Sequence, residues 1–113
     1  MDDRRRIPRV PVFFVLENLS LPEGEMTGEF QGVVKNITPD GLLLETNIPL
    51  AKNGLLQLSF TLPNTRKSLS LEGRVRWVES KKAFSLAGVE FMDLSSDQRE
   101  TIMEYLLTLG FTL

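Results

Sequence analysis

Two short stretches hold the residues whose types and spacing are suited to chemistry: Arg4-Arg5-Arg6-Ile7-Pro8-Arg9 at the amino terminus and Asn36-Ile37-Thr38-Pro39-Asp40-Gly41 further along. A guanidinium is planar and permanently charged, and it presents a fork of N–H donors that pairs bidentately with phosphate oxygens or with the edge of a base. An asparagine amide both donates and accepts, and a threonine hydroxyl does the same. Glycine leaves room for a close approach. This is the chemistry of holding a small polar anion rather than of breaking bonds. Each stretch also has a plainer reading. The arginines suit a charged, loosely ordered leader that keeps a small protein soluble, and Asn, Thr, Pro-Asp and Gly are the residues a hairpin turn uses.

Composition narrows the choice. The chain has neither cysteine nor histidine, which removes disulfides, thiolate nucleophiles, cysteine-ligated metals and the commonest general base. The fifteen carboxylates are scattered, with no pair spaced for acid and base roles on one face. An enzyme is therefore not expected, and neither is a cofactor or a metal. Net charge is −2, too small for bulk attraction to a nucleic acid polymer or an acidic membrane. Its distribution says more: residues 1–9 carry four arginines against two aspartates, and the remaining residues carry nine bases against thirteen acids. A cationic tip on an acidic body fits a small anion better than a polyanion. No apolar run approaches the roughly 18 residues a membrane span needs, and the arginines lead straight to Pro8 and Pro11 with no signal-peptide core. The chain is expected to stay in the cytoplasm.

At 113 residues one core can bury roughly two thirds of the unfolded surface, so a single domain is expected. Residues 1–9 read as a flexible basic arm and 10–113 as the domain. Residues 10–16 are rich in β-branched and aromatic types and read as a first strand, with Pro11 tolerable near its start. Residues 18–28 hold Pro22, Gly24 and Gly28 and read as a loop or loose hairpin. A second strand over 30–35 ends at Thr38-Pro39-Asp40-Gly41, where Gly41 is expected to supply a positive φ, and 42–46 is the return strand. Asn53-Gly54 signals a turn into a strand over 55–62. Over 69–77 the alternation puts Leu69, Leu71, Gly73, Val75 and Trp77 on one face, which places Trp77 in the core rather than on a base-stacking surface. Residues 84–92 are apolar on both faces, so a covered strand is predicted.

The period then changes. Ser95-Ser96-Asp97-Gln98 is a capping box, and a helix over 96–109 is predicted with Ile102, Met103, Leu106, Leu107 and Leu109 as its apolar stripe and Gly110 as its left-handed stop. Met103, Tyr105 and Phe111 are expected to pack rather than to bind. The fold class that results is all-β dominated: a small six-stranded antiparallel barrel, closed or nearly so, with one carboxy-terminal helix across it.

The order of these features resembles the PilZ family. Arg5 and Arg9 stand in its Arg-x-x-x-Arg spacing, and Asn36 to Gly41 has the form Asn/Asp-x-Ser-x-x-Gly with Thr38 where serine is usual. Gly41-Leu42-Leu43-Leu44, Leu71 to Trp77, Ala87-Gly88-Val89-Glu90-Phe91 and a closing helix follow in the family's sequence. The resemblance implies a receptor for the bacterial second messenger cyclic di-GMP. Arg5 and Arg9 would pair with phosphate or with the O6 and N7 edge of guanine, Arg4 would assist, and Arg6 is read as solvated. Asn36 would meet guanine, Thr38 would offer its hydroxyl to phosphate or base, and Gly41 would give room. The arm is expected to fold over the ligand, with the signal passed to a separate downstream protein. The alternative within the same fold is a protein interaction module, of the pilus or motility type, that binds no nucleotide. A small barrel gripping RNA or DNA by its basic arm is a third reading, disfavoured by the acidic body.

Overall fold

Alternating apolar residues draw more than half of the described residues into strands because a strand buries every second side chain on one face. In the computed structural model, which describes residues 10–21 and 32–110, there are seven: β1 (Val10–Val15), β2 (Asn18–Ser20), β3 (Gly32–Thr38), β4 (Gly41–Thr46), β5 (Leu55–Thr61), β6 (Ser68–Ser80) and β7 (Ser85–Met92). One helix, α1 (Ser96–Thr108), follows. The arm, the remainder of the predicted 18–28 loop, Phe30 and Phe111 lie outside the described residues.

All pairings are antiparallel, in the order β1-β3-β4-β7-β6-β5-β2. The outermost strands, β1 and β2, are separated by only two residues, and these join the edges. The Leu16 amide donates to Gly32 O and the Glu17 amide to Ser59 O, each at 2.8 Å. The sheet must curl into a half-barrel to let one short link touch both β3 and β5. The seventh strand is a correction to the predicted six. β2 is three residues long and begins with Asn18, so it has too few positions to show an alternation, but Leu19 is fully buried and Asn18 to Ser20 pair with β5.

Inside the curl, Phe14 and Phe60 meet with ring centroids 5.4 Å apart, among Leu44, Leu56, Leu58 and Val75. Helix α1 closes this core with Ile102, Tyr105 and Leu106. The predicted stripe is shifted: Leu107 and Leu109 are 53% and 42% exposed, and Tyr105 takes the inward position. Ile102, Tyr105 and Leu106 are spaced i, i+3, i+4, so one ordinary helical stripe accommodates them. The helix starts as expected, with Ser95 Oγ accepting from the Gln98 amide at 3.1 Å and Gln98 Oε1 accepting from the Ser95 amide at 3.0 Å. Gly110, at φ 88°, ends it. Its first turn is tied to the sheet twice, by Gln98 Nε2 donating to Ser70 O and by Arg99 pairing with Asp40. No helix of the described residues is long and apolar enough to cross a membrane.

Removing the cap with Ser95→Ala is expected to cost about 1 kcal/mol in urea denaturation, leaving the fold intact. Burial raises the Tyr105 phenol above its ordinary 10.0. Because the folded pKa exceeds the unfolded one, the associated stability is whole below pH 10.0 and is lost as pH rises through the folded value. Denaturation midpoints at neutral pH and at about pH 11 should therefore fall further in the wild type than in Tyr105→Phe.

Candidate functional site

The corner between β3 and β4 is a two-residue connection, Pro39-Asp40, with Thr38 paired to Gly41. Neither connecting residue has a positive φ, so the backbone does not close in the way the favoured hairpin turns do. Thr38 compensates with its side chain. Its Oγ1 accepts from the Asp40 amide at 3.0 Å and from the Gly41 amide at 3.1 Å. Both acceptor positions of the hydroxyl are thereby occupied. Its proton points toward Gly41 O at a long 3.4 Å, so it remains the part of Thr38 able to turn to an anionic oxygen. Asp40 O accepts from the Phe91 amide at 2.8 Å, and Arg99 Nη1 reaches Asp40 Oδ1 at 2.9 Å, so β7 and α1 both hold the corner.

Gly41 is needed for a different reason from the one predicted. It is not a positive-φ residue, but a Cβ built on it would lie 2.2 Å from Val89 O on β7. The requirement is close approach of two backbones. At the predicted Asn53-Gly54 turn, the left-handed residue is Asn53, at φ 71°, and not the glycine.

Two bulges decide which side chains reach the surface beside this corner. In β3 the pairing goes from Val34↔Leu44 to Asn36↔Leu43, leaving Lys35 as an extra residue. In β6 it goes from Val75↔Val89 to Trp77↔Gly88, leaving Arg76 extra. Each bulge reverses the in-out phase of the residues that follow. In β3, Val34 and then Ile37 are buried, and Asn36 and Thr38 face outward. In β6, the buried series Leu69, Leu71, Gly73, Val75 stops, Val78 packs against the core and Trp77 turns out, 38% exposed. The core position predicted for Trp77 is thus corrected: unbroken alternation does not survive Arg76.

The result is a single cross-strand row on the outer face, Asn36–Leu43–Gly88–Trp77, beside a second row, Thr38–Gly41–Glu90–Arg74. The indole rests on Gly88, since a Cβ there would lie 2.1 Å from Trp77 Nε1. Side chains rise at both ends of the rows, while Gly41 and Gly88 leave the floor low. An open groove of about 440 Å³ lies between them, about 14 Å across measured along the sheet at the usual strand spacing. Asn36 is half-buried at one wall, and among the described residues nothing hydrogen-bonds its amide. Opposite it stand Trp77 and Arg76, two lining residues that the motif reading did not assign to the site. The signal for them was the Arg74-Val75-Arg76-Trp77 run, whose phase is legible only once the bulge is known.

Of the six predicted site residues, Asn36, Thr38 and Gly41 converge on this groove. Arg4, Arg5 and Arg9 lie outside the described residues. Charge in the groove is matched: Asp40 is paired with Arg99, and Arg76, the one cation among the described lining residues, sits 3.5 Å from Glu90. A second recess, about 300 Å³, opens at the other end of β4 between residues 47–50 and 80–85 and shares no residue with the motifs.

No curated protein matches the chain significantly. Residues 3–108 match the family model described as the PilZ domain. That span takes in the leader arginines, both walls of the groove and the whole of α1, and on it the chain belongs to the PilZ domain family.

Proposed function

We propose that the protein is a cytoplasmic receptor for cyclic di-GMP that passes the signal to a separate protein partner and catalyses no reaction. The observation that carries this reading is the position at which the leader enters the sheet. Val10 pairs with Ile37 and Pro11 with Asn36, so Arg9, bonded to Val10, starts from the edge of the groove. Five residues of chain span at most about 18 Å. Arg5 is therefore within reach of the same groove, and Arg4 needs only one residue more.

Charge supports the same division of labour. A ligand with two phosphodiester groups needs cations, and the described groove has no surplus because its lining charges are already matched. The leader has four arginines. In this reading Arg5 and Arg9 pair bidentately with phosphate or with the O6 and N7 edge of guanine, assisted by Arg4. The Asn36 amide meets a guanine edge, the Thr38 proton goes to phosphate or base, and Gly41 keeps the floor low. The exposed indole of Trp77 offers a flat apolar surface against which a purine can stack. A bound ligand that draws the leader across the groove changes both the shape and the charge of that face, which is what a partner would read.

A second reading is a protein interaction module of the same fold that takes no nucleotide. It is favoured by the engagement of Thr38, whose hydroxyl already serves the turn. Calorimetric titration with cyclic di-GMP separates the two. The receptor reading expects saturable heat from the wild type and a loss of at least about tenfold in affinity for Arg9→Ala, the scale of a charge-assisted bidentate contact. Absence of heat from the wild type at high micromolar ligand favours the interaction module and contradicts the receptor.

A further inference from the structure

The receptor reading leaves one wall of the groove without a polar role, and Arg76 occupies it. As the extra residue of the β6 bulge, Arg76 has no cross-strand partner position on β7, whereas its neighbours Val75 and Trp77 pair with Val89 and Gly88. A bulged residue is free to aim its side chain differently from the alternating ladder. Arg76 leans over the groove, and the only ion-pair partner it has among the described residues is Glu90, at Nε–Oε1 3.5 Å. Both side chains are about half exposed, at 54% and 47%. A single contact of that length in solvent is weakly held.

Resting on the cyclic di-GMP reading, we infer that Arg76 is a further ligand-binding residue, held in reserve by Glu90 and transferred from that carboxylate to a ligand phosphate on binding. The exchange is favourable on charge grounds. The guanidinium gives up one exposed, non-bidentate carboxylate contact and gains a phosphate oxygen inside a groove that the ligand itself shields from water. Position makes the contact complementary rather than redundant. Asn36 and Thr38 stand on β3, and the leader joins the sheet beside them through β1, whereas Arg76 stands three strands away across Gly41 and Gly88. A ligand with two phosphates can be held from both walls. Glu90 acts as a competitor for the cation, so that only an anion able to replace the carboxylate draws Arg76 away.

Three surface variants test this by titration with cyclic di-GMP: Arg76→Gln, Glu90→Gln and the double variant, each checked for an unchanged melting curve. Arg76→Gln should weaken binding by about tenfold, the scale of one hydrogen bond to a charged group. Glu90→Gln should strengthen it about two- to fivefold, the range in which exposed ion pairs contribute. In the Arg76→Gln background, Glu90→Gln should change little, because there is no longer a cation to release. Equal strengthening by Glu90→Gln in both backgrounds would show simple repulsion and overturn the exchange. Wild-type affinity in Arg76→Gln would overturn the assignment alone and leave the receptor standing. No binding by the wild type would end both.

Discussion

Two inserted residues, Lys35 in β3 and Arg76 in β6, are the constraint on which the groove depends. A strand alternates its side chains strictly, so a β3 that buries Val34 would also bury Asn36, and a β6 that buries Val75 would also bury Trp77. Burying an asparagine amide without partners costs several kcal/mol on the order of a lost hydrogen bond or more. The bulges remove that conflict and create the site in the same step. They give Ile37 and Val78 to the core and leave Asn36 and Trp77 at the ends of one outward row, with Gly88 between them. Each half of the device would be useless alone: one wall without the other makes a slope rather than a groove.

The glycines complete the shape by what they permit. Val89 O occupies the space a Cβ at Gly41 would need, and the Trp77 indole occupies the space at Gly88. Both positions are fixed by neighbours rather than by dihedral freedom. The same corner is braced from behind, through the Thr38 hydroxyl, the Phe91 amide and the Arg99 guanidinium on α1. The floor and the turn are thus set by the fold, while the charge proposed for ligand capture is set by a leader joined one residue away from Ile37's pairing partner.

Much of this was legible in the sequence where one rule acted alone. The alternation from Leu69 to Val75, the capping box at Ser95 and Gln98, and the stop at Gly110 were read from local periodicity and cap chemistry, and all three are present. The polar corner was legible because the residues proposed to bind are also the residues that a turn uses. What escaped was whatever depends on a partner strand. A bulge is a mismatch between two strands, so Trp77 keeps its apparent core phase until β7 is aligned with β6. β2 escaped because three residues cannot show a period. The packing of Tyr105 was legible, but the exposure of Leu107 and Leu109 escaped because a helix of mixed apolar residues offers more than one stripe, and only its contact with the sheet decides which one is covered. The proposed ligand was carried by the family resemblance and not by any of these physical signals.

The most direct measurement of the central claim is a 1H–15N NMR titration of the uniformly labelled protein with cyclic di-GMP. Trp77 is the sole tryptophan, so its indole resonance is unambiguous, and the Asn36 side-chain amide reports the opposite wall. The account predicts that both move together with the Thr38 and Gly88 amides, saturating at one common affinity, while Lys82 and Ala83 at the far recess stay still. Shifts confined to residues 80–85, or an Asn36 and a Trp77 indole that do not respond under saturating ligand, would contradict it.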